Sequence, residues 1–416
     1  MTALCVTDAD LDGARVGLRA EDGLIAELGP GVEPREGDEV LGADGLLLAP
    51  PMVNAHTHAA MTLFRGFGDD LPLMEWLRER IWPAEAKLDP ADVYWGTRLA
   101  AVEMIRSGTT RFWDMYWHGP EVARAAADAG LRAVASAVLI DELDPAKGEG
   151  LRAEALESLE RIEAFAPLVQ PSFGPHAIYT VSGESLRWLG EIAAERELMV
   201  QIHLSETEWE VSDCVRDHGL QPAAYLDRLG VLSERAVLSH GVYFDEAELD
   251  LIAERGATVV VNPAANMKLA VGATFPYPAA AARGVRIALG TDGVASNSNL
   301  DLFEEVKLLA LSQKAAASDP AVLPAAEALA IARGLRSGLA AGTPLEVGEP
   351  ADFLLLRAGD PELSVGDPTA DLVYAANGSV VDSTVVAGRT LMRDRVVADA
   401  EAVVAEVRAR VGRLTA

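Results

Sequence analysis

The sequence has little cysteine, no long apolar run and a shortage of basic residues, and each shortage excludes a class of protein. Cys5 and Cys214 are the two cysteines of the 416 residues, too few for a disulfide framework or a cysteine zinc cluster. No apolar run reaches the ~18–20 residues that cross a bilayer, and the N-terminus resembles no secretion signal. The 35 basic residues face 64 acidic ones, a formal net charge of −29, which opposes binding to phosphate backbones and anionic lipids. We therefore expect a cytoplasmic protein that binds neither nucleic acid nor membrane, with both cysteines buried or half-buried.

The two ends of the chain share one texture. Short apolar runs separated by Asp, Gly and Pro turns extend from Leu4 to about Glu39 and again from Ala351 to about Ala400. This pattern is typical of short strands and hairpins. It predicts a small β-sandwich domain built from residues 1–50 and 345–416.

The middle of the chain, residues 51–344, has a different pattern. Apolar β-branched runs alternate with helical segments rich in Ala, Glu, Leu and Arg, as in a parallel sheet. Eight such units predict an α/β fold, a (β/α)₈ barrel, whose active site lies at the C-terminal ends of the strands. The predicted strands are Leu46–Asn54, Thr109–Asp114, Arg132–Ile140, Leu168–Phe173, Met199–Leu204, Ala236–His240, Thr258–Asn262 and Arg286–Thr291. The predicted helices include Ala91–Ser107, Pro120–Ala129, Leu151–Phe165, Gly183–Arg196, Asp245–Glu254 and Leu300–Ala316.

Histidines concentrate at the predicted strand ends. Five of the seven lie there, with an aspartate after the last strand: His56, His58, His176, His203, His240 and Asp292. His56 and His58 are two residues apart, so an extended strand turns both to one face, the barrel interior. Imidazole is a common ligand of Zn²⁺, and catalytic sites leave one position open for water. We predict that His56, His58, His203 and Asp292 hold a metal ion; His240 is either a further ligand or a neighbour of the water.

Glu206 follows His203 by three residues and lies just beyond its strand. A carboxylate near a metal-activated water, but not needed to hold the metal, is suited to carry a proton. The alternative is a solvated helix N-terminus in SETEWE, where the helix dipole also favours Glu. The proximity to His203 favours the catalytic interpretation.

Lysine is scarce, and its positions bear on the number of metal ions. Barrels that hold two ions commonly bridge them with a modified lysine from a strand. None of Lys87, Lys147, Lys268, Lys307 and Lys314 ends a predicted strand. We therefore predict one metal ion.

Several longer motifs resemble one enzyme family. They are VNAHTHAAMTLFRGFGDDLPLMEWL, IWPAE, SGTTRFWDMY, HLSET, NMKLAVG and TDGVASNSNLDLFEE. With the predicted end domain, the chain resembles the amidohydrolase superfamily over essentially its whole length. Within that superfamily it resembles the 5-methylthioadenosine/S-adenosylhomocysteine deaminases, mainly through DDLPLMEWL and IWPAE.

The resemblance implies one divalent ion, usually zinc, on the four predicted ligands. It implies catalytic roles for Glu206, His240 and Asp292, with Glu206 also contacting the substrate, and purine contacts from His176. Glu85 corresponds to a carboxylate that accepts the ribose 2′ and 3′ hydroxyls, since one carboxylate can accept from both. The alternative for Glu85 is the surface of a helix in PAEAKL. Relatives are often homo-oligomers, so the resemblance leaves a homo-oligomer open.

The activity implied is zinc-dependent hydrolytic deamination of a purine nucleoside such as adenosine, 5′-methylthioadenosine or S-adenosylhomocysteine, with release of ammonia. A second hypothesis is another hydrolase of the superfamily, acting on a guanine-like base, a triazine or a cyclic amide. Glu85 separates the two, because a substrate without a ribose diol has no use for it. A third hypothesis, a barrel that binds without turnover, conflicts with a complete set of site residues.

Three residues depart from the family pattern. Pro51 replaces a usual glycine, Ile178 a usual proline and Ala265 a usual serine. The last two flank the expected substrate pocket, so they bear on the identity of the substrate. The aromatic residues Trp113, Tyr116 and Trp117 stack on a base, line a wider pocket or pack in the core.

Overall fold

The computed structural model describes residues 3–339 and 341–416. The strands are β1 Leu4–Leu11, β2 Ala14–Glu21, β3 Leu24–Gly29, β4 Glu39–Gly42, β5 Leu46–Ala49, β6 Met52–Thr57, β7 Thr109–Asp114, β8 Arg132–Leu139, β9 Val169–Pro175, β10 Met199–Leu204, β11 Ala236–His240, β12 Thr258–Val261, β13 Arg286–Leu289, β14 Phe353–Arg357, β15 Val381–Val386 and β16 Arg389–Met392. The α-helices are α1 Leu73–Trp76, α2 Trp82–Glu85, α3 Pro90–Arg106, α4 Gly119–Ala129, α5 Pro145–Glu163, α6 Gly183–Arg196, α7 Glu208–His218, α8 Pro222–Arg228, α9 Glu246–Arg255, α10 Pro263–Lys268, α11 Tyr277–Ala282, α12 Leu302–Ala317, α13 Ala325–Ala332, α14 Pro368–Tyr374 and α15 Ala400–Leu414. Short 3₁₀ helices at Ala59–Phe64 and Gly378–Val380 and a π-helical turn at Leu77–Ile81 complete the secondary structure of these residues.

The central sheet is a parallel barrel. Strands β6 to β13 pair in chain order, and the gap between the first and the last is bridged at the C-terminal end. There the Thr291 and Asp292 amides both donate to the His56 carbonyl oxygen, at 3.1 and 3.0 Å. The predicted (β/α)₈ barrel is confirmed. Parallel strands all end at one rim, so residues that follow them converge there.

The two chain ends form a separate mixed sheet, as predicted. Its strands run in the order β16-β15-β14-β5-β1-β2-β3, with β4 paired to β1. An ion pair joins this sheet to the barrel: Arg132 of β8 donates to the buried Asp352 at 2.7 Å. The division at residues 50/51 and 344/345 stays a prediction.

The first predicted barrel strand is wrong, because Leu46–Asn54 is two strands in two sheets. Residues 46–49 are β5 of the chain-end sheet, and the barrel strand β6 begins at Met52. Pro50 and Pro51 separate them, since proline has no N–H for a sheet ladder. Strands β7, β10 and β11 have the predicted bounds, whereas β9 extends to Pro175 and β12 and β13 end earlier than predicted.

Helix ends follow local capping chemistry. Asp89 and Asp245 begin α3 and α9 with capping boxes, in which each side chain accepts a backbone N–H three residues on. Such caps satisfy amides that lack partners inside the helix. Within the part of the chain described, no helix combines the length and apolar character that a bilayer crossing demands. Both cysteines are buried, as expected.

Candidate active site

A cavity of about 80 Å³ opens at the C-terminal rim of the barrel. The predicted site residues that line it are His58, Glu85, His176, His203, Glu206, His240 and Asp292. His56 lies directly beneath, fully buried at the end of β6. The structure therefore brings together every site residue predicted from the sequence.

Four of these residues form a compact group of metal donors. One donor atom from each of His56, His58, His203 and Asp292 lies within 4.8 Å of the others. Asp292 Oδ1 lies 3.3 Å from His56 Nε2 and 3.1 Å from His58 Nε2. Three imidazoles and one carboxylate are a donor set typical of a divalent transition metal.

The surroundings of His56 also fit a metal ligand. Neither ring nitrogen of this buried histidine has a hydrogen-bond partner, a costly state for a polar group unless another ligand satisfies it. Burial lowers the pKa of His56 to about 4, which keeps the ring neutral and able to donate a lone pair. Burial also lowers the pKa of His58, but the Asp292 carboxylate outweighs this and raises it to about 9. Asp292 thus favours a positive charge at this point, which a metal ion can supply in place of the proton.

Two backbone carbonyls orient the imidazoles. His58 Nδ1 donates to the Met115 carbonyl oxygen at 2.6 Å, and His203 Nδ1 donates to that of His176 at 2.8 Å. Since a carbonyl oxygen can only accept, each Nδ1 carries the proton and each Nε2 is left to face the ion. Ser296 Oγ donates to Asp292 Oδ2 at 2.6 Å, fixing the carboxylate in the same way.

Three residues at strand ends have a left-handed backbone. Ser205, His240 and Asp292 have φ of 53°, 80° and 58°, values that non-glycine residues adopt at a cost of order 1–3 kcal/mol. Each turns the chain sharply where its strand stops. The turns aim His240 and Asp292, and Glu206 after Ser205, into the cavity.

His240 lies beside the metal donors and outside their group of four. Its ring centroid is 5.9 Å from that of His56, and its Nδ1 lies 2.8 Å from Asn266 Oδ1 and 3.9 Å from Glu206 Oε1. With Nδ1 donating to the amide oxygen, Nε2 is free to contact a reactant. Of the two roles left open by spacing, the geometry favours the neighbour of the water.

Glu206 is buried, so the alternative of a solvated helix N-terminus is wrong. Burial raises the pKa of its carboxyl, which favours a group that takes up and releases a proton. Glu210 holds it in place: Oε1 accepts from the Ser205 amide at 3.0 Å and Oε2 from the Glu206 amide at 2.9 Å. Glu210 was missed in the sequence because, in SETEWE, it has the position of an ordinary helix-capping residue.

The far wall of the cavity contains Glu85 and aromatic rings. Trp117 Nε1 donates to Glu85 Oε2 at 3.1 Å, and Tyr116 lines the same wall. Trp113 instead packs among buried barrel residues such as Val134, with its Nε1 3.4 Å from Met199 Sδ. The aromatic cluster is therefore divided between the cavity and the core.

Ile178 and Ala265 are both buried, and the cavity wall described here is formed by other residues. Its wall, as far as the structure describes it, also contains no lysine.

Two curated relatives match nearly the whole chain. The 5′-deoxyadenosine deaminase of Methanoregula boonei is 45% identical over 94% of this chain and 90% of its own length. The 5-methylthioadenosine/S-adenosylhomocysteine deaminase of Syntrophobacter fumaroxidans is 46% identical over 90% and 87%. Both are similar in sequence well beyond the metal motifs.

Solved structures share the fold. An adenosine deaminase from Xanthomonas campestris with bound zinc superimposes with a TM-score of 0.91 at 34% identity, over 99% of this chain and 98% of that one. An atrazine chlorohydrolase from Arthrobacter aurescens has a TM-score of 0.87 over 98% and 100%, but at 21% identity it shows the fold alone. The profile of the Amidohydrolase family matches residues 47–391. The chain belongs to the amidohydrolase family.

Proposed function

We propose that the protein is a deaminase that hydrolyses the bond between C6 and the amino group of an adenosine-type nucleoside, giving the inosine-type product and ammonia. One observation carries this proposal: Glu85, a carboxylate suited to a ribose diol, lines the same cavity as the metal donors and Glu206. The relatives named as 5′-deoxyadenosine and 5-methylthioadenosine/S-adenosylhomocysteine deaminases support the same substrate class.

The metal proposed is a single zinc ion on His56, His58, His203 and Asp292. The donor chemistry and the orphaned nitrogens of His56 support an ion, and the zinc in the Xanthomonas campestris structure supports its identity. Zinc supplies Lewis-acid chemistry that lets a water ionise near pH ~7.

Three protein side chains transfer the protons and orient the attacking oxygen. Asp292 accepts the proton of the attacking water. His240, whose Nδ1 is fixed by Asn266, orients the attacking oxygen through Nε2 towards C6 of the purine. Glu206 protonates the neighbouring ring nitrogen, so that negative charge leaves the ring as the C–O bond forms. Asp292 then passes its proton to the amino nitrogen, the C6–N bond breaks to release ammonia, and Glu206 regains a proton from the C6 hydroxyl as the carbonyl forms.

Two residues position the nucleoside. Glu85 accepts hydrogen bonds from the ribose 2′ and 3′ hydroxyls, while Trp117 holds its Oε2. His176 also lines the cavity, with its Nδ1 2.9 Å from Thr180 Oγ1, and its ring contacts the purine. The cytoplasmic location stays part of this proposal, and the homo-oligomer stays an untested prediction.

Ammonia release from zinc-loaded protein tests the proposal. The panel contains adenosine, 5′-deoxyadenosine and 5′-methylthioadenosine, with guanine, a chlorinated triazine and a cyclic amide as controls. We expect ammonia from the adenosines only. Turnover confined to the controls would contradict the substrate class and leave the metal site intact.

A further inference from the structure

A second, larger cavity of about 720 Å³ adjoins the site. It runs between α4, α5 and β8, and it shares a wall with the first cavity. The shared wall consists of Trp82, Glu85, Trp117, Val138 and Ile140. Nothing in the proposed reaction uses the space behind this wall.

The geometry of a nucleoside connects the two cavities, provided that the proposed function holds. The base lies over the metal donors and the diol lies on Glu85. In ribose, C1′ and C4′ flank the ring oxygen and each adjoins one carbon of the diol, so the purine and the 5′ substituent diverge from a ribose that is held by its diol. Glu85 lines both cavities, so a ribose held there lies where the two cavities adjoin.

We propose that this cavity receives the 5′ substituent, and that it accepts uncharged, mainly apolar substituents and rejects carboxylates. Its lining includes the apolar residues Val138 and Ile140 of the shared wall together with Ala137, Leu151 and Ala155. Ala137 and Ala155 are buried. Such a surface stabilises a methyl or methylthio group by excluding water, whereas an unpaired carboxylate loses its hydration without compensation.

The charged groups of the cavity reinforce this selection. Glu121, Glu142 and Glu154 line it together with Glu85. Glu142 is paired with Lys147 at 2.6 Å, and Glu121 with Arg124 at 2.5 Å, so neither cation is free for a ligand. The carboxylates of Glu85 and Glu154, which are in neither of these ion pairs, would still repel a further carboxylate.

Among the lining residues that the structure describes, Arg161 carries a guanidinium group. Its side chain is exposed. Helix α5 follows β8, so its N-terminal part, with Leu151, lies at the rim and its last turn near the opposite end of the barrel. Ten residues separate Leu151 from Arg161, which is about 15 Å along the helix. The Leu151 end of the cavity therefore has no guanidinium on its described lining.

A matched pair of substrates isolates the charge. S-(2-carboxyethyl)-5′-thioadenosine and its primary amide have nearly the same size and differ by one negative charge. We expect kcat/KM of the acid to be at least about tenfold below that of the amide at low salt, with a smaller difference at high salt because of screening. Equal or better turnover of the acid overturns the inference. Absence of ammonia from every nucleoside, including 5′-methylthioadenosine, overturns the proposed function instead.

Leu151→Arg tests whether the cavity is where the substituent binds. A guanidinium introduced there should raise the acid-to-amide ratio of kcat/KM at least about tenfold, through a charge-assisted hydrogen bond. Leu151→Gln has similar bulk without charge, and Glu160→Gln makes the same charge change on an exposed part of α5 outside the lining. Both should leave the ratio within about twofold. An unchanged ratio in correctly folded Leu151→Arg, or an equal rise in Glu160→Gln, overturns the assignment of this cavity.

Discussion

Glu210 holds the backbone of Glu206: its two carboxylate oxygens accept the Ser205 and Glu206 amides, at 3.0 and 2.9 Å. The bond at Glu206 lies at the base of the side chain assigned to proton transfer. It also fixes the left-handed turn at Ser205. A carboxylate four residues along the chain therefore determines where the catalytic carboxylate points.

Glu210→Gln should lower kcat by about 10–100-fold, because displacement of a catalytic group by a fraction of an ångström is costly. Glutamine has one accepting oxygen, and its NH₂ would face the second amide. KM should change less than threefold and the bound metal should remain, which steady-state kinetics and metal analysis measure. Glu208→Gln, an exposed carboxylate of the same helix turn, is the control. A normal kcat in Glu210→Gln would show that the turn is fixed without it.

Glu206→Gln should reduce kcat by about 10²–10⁴-fold, the range for loss of a general acid and base. The metal donors are other residues, so the metal content should equal that of the wild type. Stopped-assay ammonia measurements and elemental analysis on one preparation give both quantities. Near-normal turnover with the metal still bound contradicts the proton-transfer role.

His56→Ala should abolish metal binding, because it removes one of four donors from the fully buried base of the site. We expect the metal content to fall from about one ion per chain to less than a tenth after dialysis. The other ligands are held in fixed positions, so the loss of one ligand weakens metal binding strongly. His118→Ala changes an exposed histidine after β7 and serves as the control. Retention of a full equivalent of metal in His56→Ala would remove this histidine from the donor set.

The pH dependence of stability should contain a contribution from Glu248. Burial raises the pKa of this carboxyl to about 7, above the value of about 4.5 for an unfolded chain. The folded state therefore binds the proton more tightly. Its contribution to stability is complete below about pH 4.5 and is lost as the pH rises through about 7.

Glu248→Gln removes this titration. The difference in free energy of unfolding, wild type minus variant, should be larger at pH 5 than at pH 8 by up to about 3 kcal/mol. Urea denaturation at the two pH values measures it, with the exposed Glu246→Gln as the control. A difference independent of pH would contradict the raised pKa.

Most of the barrel and the metal donors could be predicted because their signals are local. Strand β7 has the predicted bounds, since TTRFWD is rich in the β-branched and aromatic residues that strands favour and lies between a helix and a turn. The histidines converge because parallel strands end at one rim, so position along the chain is enough to bring them together. The orientation of His58 and His203 depends on carbonyls of other strands, which no local pattern reveals.

Other features depend on chain breaks or on distant packing. The two prolines at 50 and 51 separate β5 from β6. Because apolar residues lie on both sides of them, the segment resembles one continuous strand. Helix α5 begins at Pro145, six residues before the predicted start at Leu151, because Asp144 accepts the Ala146 amide and caps it. Gly148 and Gly150 weaken helix propensity there and obscured this start. The second cavity is a gap between α4 and α5, and the spacing of two helices is set by packing across the whole barrel.

A ribonucleoside that is deaminated with its diol on Glu85 should lose activity when either the diol or the carboxylate is removed. The measurement is kcat/KM for adenosine and 2′,3′-dideoxyadenosine in the wild type and in Glu85→Gln. Hydrogen bonds to a charged group contribute about 1.5–3 kcal/mol, so the wild type should prefer adenosine by at least about tenfold. The variant should lose most of this preference, mainly by slower turnover of adenosine. An equal preference for adenosine in both proteins, or none in the wild type, would contradict the account.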